Sequence, residues 1–579
     1  MRTQLSVCDW LIEPIKTKKQ SIPRMASTEG AVEDTFGREN PRSQRAKKQT
    51  ANKKKKARAN RTAQPSYTVH QGEDMLLVIS SSTSQYDGSL ARFKKKRGRK
   101  KKIVIAPAKK RKSKASVDTA DVEEMPADRR WGESLPEEVL VNIFKMVVTQ
   151  DGAVPFLCRA ARVCRLWHAA AATPALWRKV AVGRCWIAPG KSQQPKVRRQ
   201  IQDTVDWLAQ NRFSQLREFS LHHWTANVDH AMDVVSQFCP HLSALTLSFC
   251  TGPKEAGFQS LGRHGRSLRS LNLQHTEFQL EGFLAYLDGH GAQIQQIWFT
   301  HSWKNDRILA GISVRKASGS ASPITRKTEL PSLPPRFWFQ RGLCPHLELL
   351  EVNTRLDSKD NELAVCVQAL QMACPKLKTF RLLNVRPVHK TVRSAAEFPA
   401  GFPLLEELCI ATASYSYVTD RYLRDILFGS PGLRVLDLRG CSHITSAGLA
   451  ALPCLELECL FWGQYFSSPV VSSSLKKGLH AVAQKWKDTL RELDLANQLF
   501  SEEDLELAML QLARANNPNT LHSLNLSGTR ITAAALRPLI GQTTALDYLN
   551  LSSCRSLPRG LKRLYRGQEA IRQLLDTLE

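Results

Sequence analysis

Apolar residues along this chain follow two rhythms. Between residues 135 and 177 the rhythm is helical. Leu135, Val139, Leu140, Ile143, Phe144 and Val147 recur at spacings of mostly three and four, which places them on one helix face. Ser134 with Glu137 three residues on predicts a capping-box start, Pro136 suits the first turn, and Asp151-Gly152 predicts the stop. A second apolar and basic helix is predicted over Phe156, Leu157, Ala160, Val163, Cys164 and Trp167. So short a helical stretch cannot bury this many large apolar groups by itself. The surplus predicts a partner that covers it.

From residue 216 the rhythm changes to L-x-x-L-x-L. It starts at Leu216, Leu242, Leu268, Ile294, Leu347, Leu377, Leu405, Leu433, Leu457, Leu490, Leu521 and Leu546. The first four starts are 26 residues apart and later ones 24 to 33, with one interval of 53 between Ile294 and Leu347. This is the period of leucine-rich repeats. Alternate strand side chains point to opposite faces, so Leu245 and Leu247 should face the core and Thr246 the other side. Helices pack 8–10 Å apart and strands about 4.8 Å apart. Stacked repeats should therefore curve, with parallel strands on the concave side and helices on the convex side.

Small polar or thiol residues stand three places after the last strand leucine: Cys250, Thr276, Cys441, Thr529 and Cys554. There they should turn inward. The fourteen cysteines include no C-x-x-C pair, so metal binding is not expected and they read as buried thiols. The Ser-, Lys-, Arg- and Pro-rich residues 312–338 read as a disordered insertion in one repeat.

Charge is unevenly spread. The chain carries a net +30, and residues 1–130 hold 32 Lys/Arg against 14 Asp/Glu, or +18. That region has little apolar periodicity and is expected to be a disordered tail. Its runs at 53–56, 94–102 and 109–114 fit nuclear import, a solvated tail, or direct nucleic-acid contact. Asp74–Ser80 is an isolated apolar island within it. No apolar run approaches a membrane span and no signal pattern opens the chain, so the expected location is nucleus and cytoplasm.

Leu135, Pro136, Glu138, Leu140, Ile143 and Phe144, then Val163, Cys164, Arg165 and Trp167, then Pro174, Leu176 and Trp177 together resemble an F-box. From about residue 131 the chain resembles the F-box and leucine-rich-repeat family. The resemblance implies an α/β architecture: a small all-helical F-box at 131–180, then a curved solenoid at 200–567. It implies docking on a Skp-family adaptor and, through it, on cullin and RING subunits of a ubiquitin ligase. Leu135, Pro136, Leu140, Ile143, Phe144, Val163 and Trp167 would form the adaptor-binding site. The repeats would hold an unidentified protein substrate.

No phosphate loop, dinucleotide glycine pattern, H-E-x-x-H or nucleophile elbow occurs. No cofactor is expected, and the chain reads as a binding surface rather than an enzyme. That surface should comprise the solvent-facing strand positions, among which Trp298, Arg381, Asp437, Phe461 and Asp494 are the candidates for substrate contact. The alternative is a nuclear scaffold whose basic tail grips nucleic acid while its repeats bind protein.

Overall fold

A computed structural model describes residues 68–70 and 78–80, and then 135–183, 195–302, 304–305, 307–313, 342–354, 362–389, 401–412, 416, 418–464, 475–561 and 563–578. The tail reading, Ser134, and residues 314–338 of the expected insertion lie outside the described residues. Within the tail, Thr68–His70 pairs antiparallel with Val78–Ser80, so the end of the apolar island forms a strand.

The helical segment is three helices and a tight turn. Helix α1 spans Glu137–Asp151, α2 Phe156–Ala160 and α3 Arg165–Ala172, followed by a 3-10 turn at Pro174–Trp177. Pro136, rather than Ser134, occupies the N-cap of α1. Gly152 at φ 84 ends it, a backbone that glycine adopts without steric cost. The expected second helix is broken in two. Cys164 takes extended backbone and its sulfur accepts the Trp167 N–H at 3.4 Å, so a new helix begins where the apolar periodicity alone gives no sign of a break.

The repeats build a fourteen-stranded sheet. It begins at Lys179–Val182, directly after the 3-10 turn, and the expected F-box boundary at 180 falls inside this strand. Parallel pairing then runs through Glu218–His222, Ala244–Ser248, Ser270–Leu273, Gln296–Thr300, Leu349–Asn353, Thr379–Leu383, Glu407–Cys409, Val435–Asp437, Cys459–Phe461, Glu492–Asp494, Ser523–Asn525 and Tyr548–Asn550. Leu564–Arg566 closes the sheet antiparallel, and the helix Gln568–Leu578 follows it past the expected limit of 567.

Register follows the leucines. Leu245 pairs with Leu271, Leu436 with Leu460, and Leu524 with Leu549. All three apolar positions of all twelve repeat motifs are buried. Gln296–Thr300 pairs directly with Leu349–Asn353, so the 53-residue interval adds no rung to the sheet. It opens with a helix, Arg307–Ser313, whose Ile308, Leu309 and Ile312 are buried. Residues 312 and 313 therefore belong to the folded body.

Four of the five inward residues after a strand tie their repeat to the preceding one, while Thr529 Oγ1 donates to Leu526 of its own repeat at 2.6 Å. Cys250 Sγ donates to the Leu221 carbonyl at 3.4 Å, Thr276 Oγ1 to Leu247 at 2.6 Å, Cys441 Sγ to Ile410 at 3.3 Å and Cys554 Sγ to Leu526 at 3.1 Å. Trp224 Nε1 reaches the Gly183 carbonyl at 3.0 Å, and Gln498 bonds the Trp462 carbonyl. Burial pushes the Cys441 thiol up to about 12; a thiol held protonated this way is not a nucleophile. On the helix side, Thr419, Thr445, Ser501 and Thr532 cap their helices by accepting the N–H three residues on, as N-cap hydroxyls do.

Candidate functional site

Two surfaces carry the residues singled out in the sequence. The first is the helical segment. Phe144 lies at its centre, edge-to-face with Phe156 and Trp167, both at 5.2 Å between ring centroids. Leu140, Leu157, Leu176 and Trp177 are buried around it. Trp177 Nε1 donates to the Ala171 carbonyl at 2.8 Å, and its ring lies 5.9 Å from that of Phe213. The helices thus share a core with the repeats.

The seven expected adaptor-binding residues therefore divide. Leu140 and Phe144 are interior, and Leu135 and Trp167 are half-buried. Pro136, Ile143 and Val163 are exposed. Large apolar side chains stay in solvent on the outer face of α1: Val139 is 44% exposed, Ile143 43% and Met146 69%. Their spacing of four and three keeps them on one helix face. Val163, in the turn between α2 and α3, is 62% exposed. Val139 and Met146 were not among the expected contacts, although Val139 belongs to the same periodic run. Periodicity marks apolar positions but does not say which side of a thin layer each one takes.

The second surface is the non-core face of the sheet. Its twelve central positions were expected to meet solvent. None is fully exposed: Glu351, Cys409 and Asp437 are buried, and the rest, including Trp298, Arg381, Phe461 and Asp494, are half-buried. At the charged and amide-bearing positions the reason is ion pairing and turn formation within the sheet itself.

Arg381 donates to Glu407 at 2.6 and 3.0 Å and to Glu351 at 3.1 Å, while Gln274 donates to the other oxygen of Glu351 at 2.5 Å. Burial works to lower the Arg381 pKa, but hydrogen bonds and charge from Glu407 and Glu351 overcome it and raise it. Burial raises the Glu351 carboxyl, with Arg381 opposing. One strand pair further, Arg439 donates to Asp437 at 2.6, 3.0 and 3.2 Å and lies 5.3 Å over the Phe461 ring. The Cys409 thiol donates to Asp437 at 3.4 Å. Burial raises the Asp494 carboxyl, against its bond from the Ala496 N–H and the charge of Arg439.

A recurrent turn explains the Asp and Asn residues at these positions. Asn272, Asp437, Asp494, Asn525 and Asn550 each accept the N–H of the residue two places on, at 3.0, 3.1, 2.9, 3.2 and 3.1 Å. This is the side-chain-to-backbone turn such residues favour. Asp437 is thus a structural group, not an accessible contact, which corrects the expectation made for it. Its signal was present in the sequence as the repeated Asp/Asn between strand leucines.

Residues 133–182 match a family model described as F-box-like, and residues 430–452 match one described as Leucine Rich repeat. These matches support an F-box and leucine-rich-repeat family, whose members are generally non-catalytic. Among solved structures, a chain from the yeast Rad7 and Elc1 complex matches at 13% identity and a TM-score of 0.36. That match covers 78% of this chain and 87% of the other.

Proposed function

We propose that this chain is the substrate-recognition subunit of a Skp–cullin–F-box ubiquitin ligase. The observation that carries the reading is the apolar stripe Val139, Ile143 and Met146, with Val163, set outside a closed aromatic core. An exposed apolar stripe on a well-packed scaffold is what a partner interface looks like before it is covered. A Skp-family adaptor would cover it through Leu135, Pro136, Ile143 and Val163, while Leu140, Phe144 and Trp167 position them from within. Cullin and RING subunits would join through the adaptor. The sheet face holds the target, with the half-buried rings of Trp298 and Phe461 as contacts and Arg381, Asp437 and Asp494 shaping the surface.

Catalysis in this scheme is proximity. Holding the target beside a charged conjugating enzyme raises the effective concentration of its lysines, and ubiquitination then directs the target to degradation. The basic runs in residues 1–130 fit a protein shared between nucleus and cytoplasm. From the resemblance of Trp131-Gly132, Arg159–Trp167, Asn211–Leu216, Leu436–Cys441 and Leu557–Arg563 we further propose a relationship to the family member called F-box and leucine-rich repeat protein 6.

The test is co-purification of the full chain with a Skp-family adaptor. The double variant Ile143→Asp, Val163→Asp should lose adaptor at least tenfold while its thermal melt stays within a few degrees of wild type. Capture at the wild-type level by the doubly charged variant would end the proposal.

A further inference from the structure

Each parallel strand of the sheet is entered through one hydrogen-bond pattern. The carbonyl of the residue just before the strand accepts two backbone N–H groups from the next rung. Arg178 accepts from Arg217 and Glu218 at 2.8 and 3.0 Å, Arg217 from Ser243 and Ala244 at 2.8 and 3.0 Å, and Ser243 from Arg269 and Ser270 at 2.8 and 3.0 Å. The pattern continues as far as His522, which accepts from Asp547 and Tyr548 at 2.9 and 3.1 Å. These residues form a ladder along the strand-entry edge, one per rung and about 4.8 Å apart. The first rungs carry Arg178, Arg217, Ser243, Arg269 and Gln295. The next carry Glu348, Lys378, Glu406, Arg434, Glu458 and Arg491.

The two stretches of this ladder treat charge differently. From Glu348 onward acid and base alternate and answer one another: Lys378 pairs with Glu348 at 3.1 Å, and Arg434 and Arg491 pair with Glu458 at 2.8 and 3.4 Å. The first stretch has no alternation. Arg178, Arg217 and Arg269 are exposed, and among the described residues none of the three pairs with a carboxylate. Glu218, one position on, is held by Lys179 at 3.1 Å. The segments that lead into these rungs, 172–178, 211–217, 237–243, 263–269 and 289–295, contain no Asp or Glu and add Arg212, Arg263 and Arg266. Asp288 stands one residue outside the last of them, on its helix. Arg212 is engaged 5.1 Å over the Trp207 ring. Arg263 stands in the last turn of the helix Glu255–His264, where a cation answers the helix dipole. Arg217 and Arg269 lie past the ends of their helices, at Asn211 and His264, beyond the reach of that effect.

We propose that the strip Arg178, Arg217 and Arg269 docks an acidic segment of a partner protein, laid in extended form across the rungs. Three rung spacings span about 14 Å, and an extended chain rises about 3.3 Å per residue, so about five residues cover the strip. A guanidinium fork takes a carboxylate through two parallel N–H···O bonds. The partner's acids thus supply on the first rungs what Glu348, Glu406 and Glu458 supply on the later ones. These ladder positions carry no ring on which a base could stack, as single-stranded nucleic acids are commonly held, and this favours a peptide. The strip lies on the strand-entry edge, not on the sheet face assigned to the target, and it is tested without the adaptor.

The probe is a Gly/Ser-flanked pentaglutamate peptide with a terminal benzophenone, photo-cross-linked to the purified full chain and mapped by mass spectrometry. Mapping separates the strip from the basic residues 1–130, which also attract an acidic peptide. Cross-links should fall within 211–218 and 263–270. The triple variant Arg178→Gln, Arg217→Gln, Arg269→Gln should lower their yield roughly fivefold or more. Its melting temperature should stay within about 2 °C of wild type, as for exposed surface changes generally, which keeps loss of binding apart from loss of fold. Removing as many charges from the paired rungs, with Lys378→Gln, Arg434→Gln and Arg491→Gln, should leave the yield within about twofold, because those charges are already answered. Ile143→Asp should cross-link as wild type does, so a failure of adaptor docking is read separately. Cross-links confined to residues 1–130, an unchanged yield in the arginine variant, or stronger displacement by a DNA strand of equal charge than by unlabelled peptide would overturn the assignment.

Discussion

The helical segment and the repeats use the same raw material in opposite ways. In the repeats, Leu433, Leu436 and Leu438 and their counterparts all reach the interior, because each rung has a neighbour on both sides. In α1, Leu140 and Phe144 are buried while Val139, Ile143 and Met146, on the same helix, stay in solvent. The difference is not in the residues. A solenoid rung meets another rung at each face, and stacking supplies the missing core. A three-helix layer has one inner face, and whatever turns outward stays in solvent.

That contrast can be broken most severely at the buried ion pair. Asp437→Ala would leave Arg439, 12% exposed at its side chain, without its carboxylate. Removing one partner of a buried pair costs roughly 3–5 kcal/mol. Leu436→Ala beside it should cost about 2–5 kcal/mol. Urea unfolding should therefore rank Asp437→Ala with a core deletion; a loss under about 0.5 kcal/mol would mean the aspartate is solvated after all. Phe144→Ala should cost about 3–5 kcal/mol and so lose adaptor capture through unfolding of the segment. Ile143→Asp should lose capture with little change in stability. If the two behaved alike in a melt, the inside–outside division of α1 would be wrong.

The smallest effect concerns Lys476, whose ammonium lies 4.6 Å over the Trp462 ring and donates to the Ile444 carbonyl at 3.2 Å. Burial lowers its pKa to about 8, against the pull of Asp420. The unfolded chain then binds this proton more tightly than the folded one. Its contribution to stability is least favourable below pH 8 and improves as pH rises from about 8 towards about 10.4. Lys476→Met should flatten that part of the melting profile. An unchanged slope between pH 7.5 and 9.5 would show that the ammonium is not desolvated.

Much of this architecture was legible from spacing. The L-x-x-L-x-L period located every repeat strand between 218 and 550, and Cys250, Thr276, Cys441 and Cys554 fell where their bonds to the preceding rung are found. The first strand, Lys179–Val182, was missed because only Val180 and Val182 carry its pattern. The last, Leu564–Arg566, has one buried side chain, Tyr565, and runs antiparallel, outside the repeat. The candidate sites were less legible. Asp437 looked like a solvent group because alternation assigns a face, not an exposure. Arg439, two residues on and pointing the same way, closes over it.

The strand Lys179–Val182 follows the helical segment with no intervening linker and pairs with the first repeat over four residues. Only Arg178 separates the turn from the strand at that joint. Under the proposed reading, whatever grips α1 also sets the angle at which cargo is shown to the conjugating enzyme. The assembly then works as a ruler rather than a leash, and which lysine is modified becomes a matter of reach along a fixed direction.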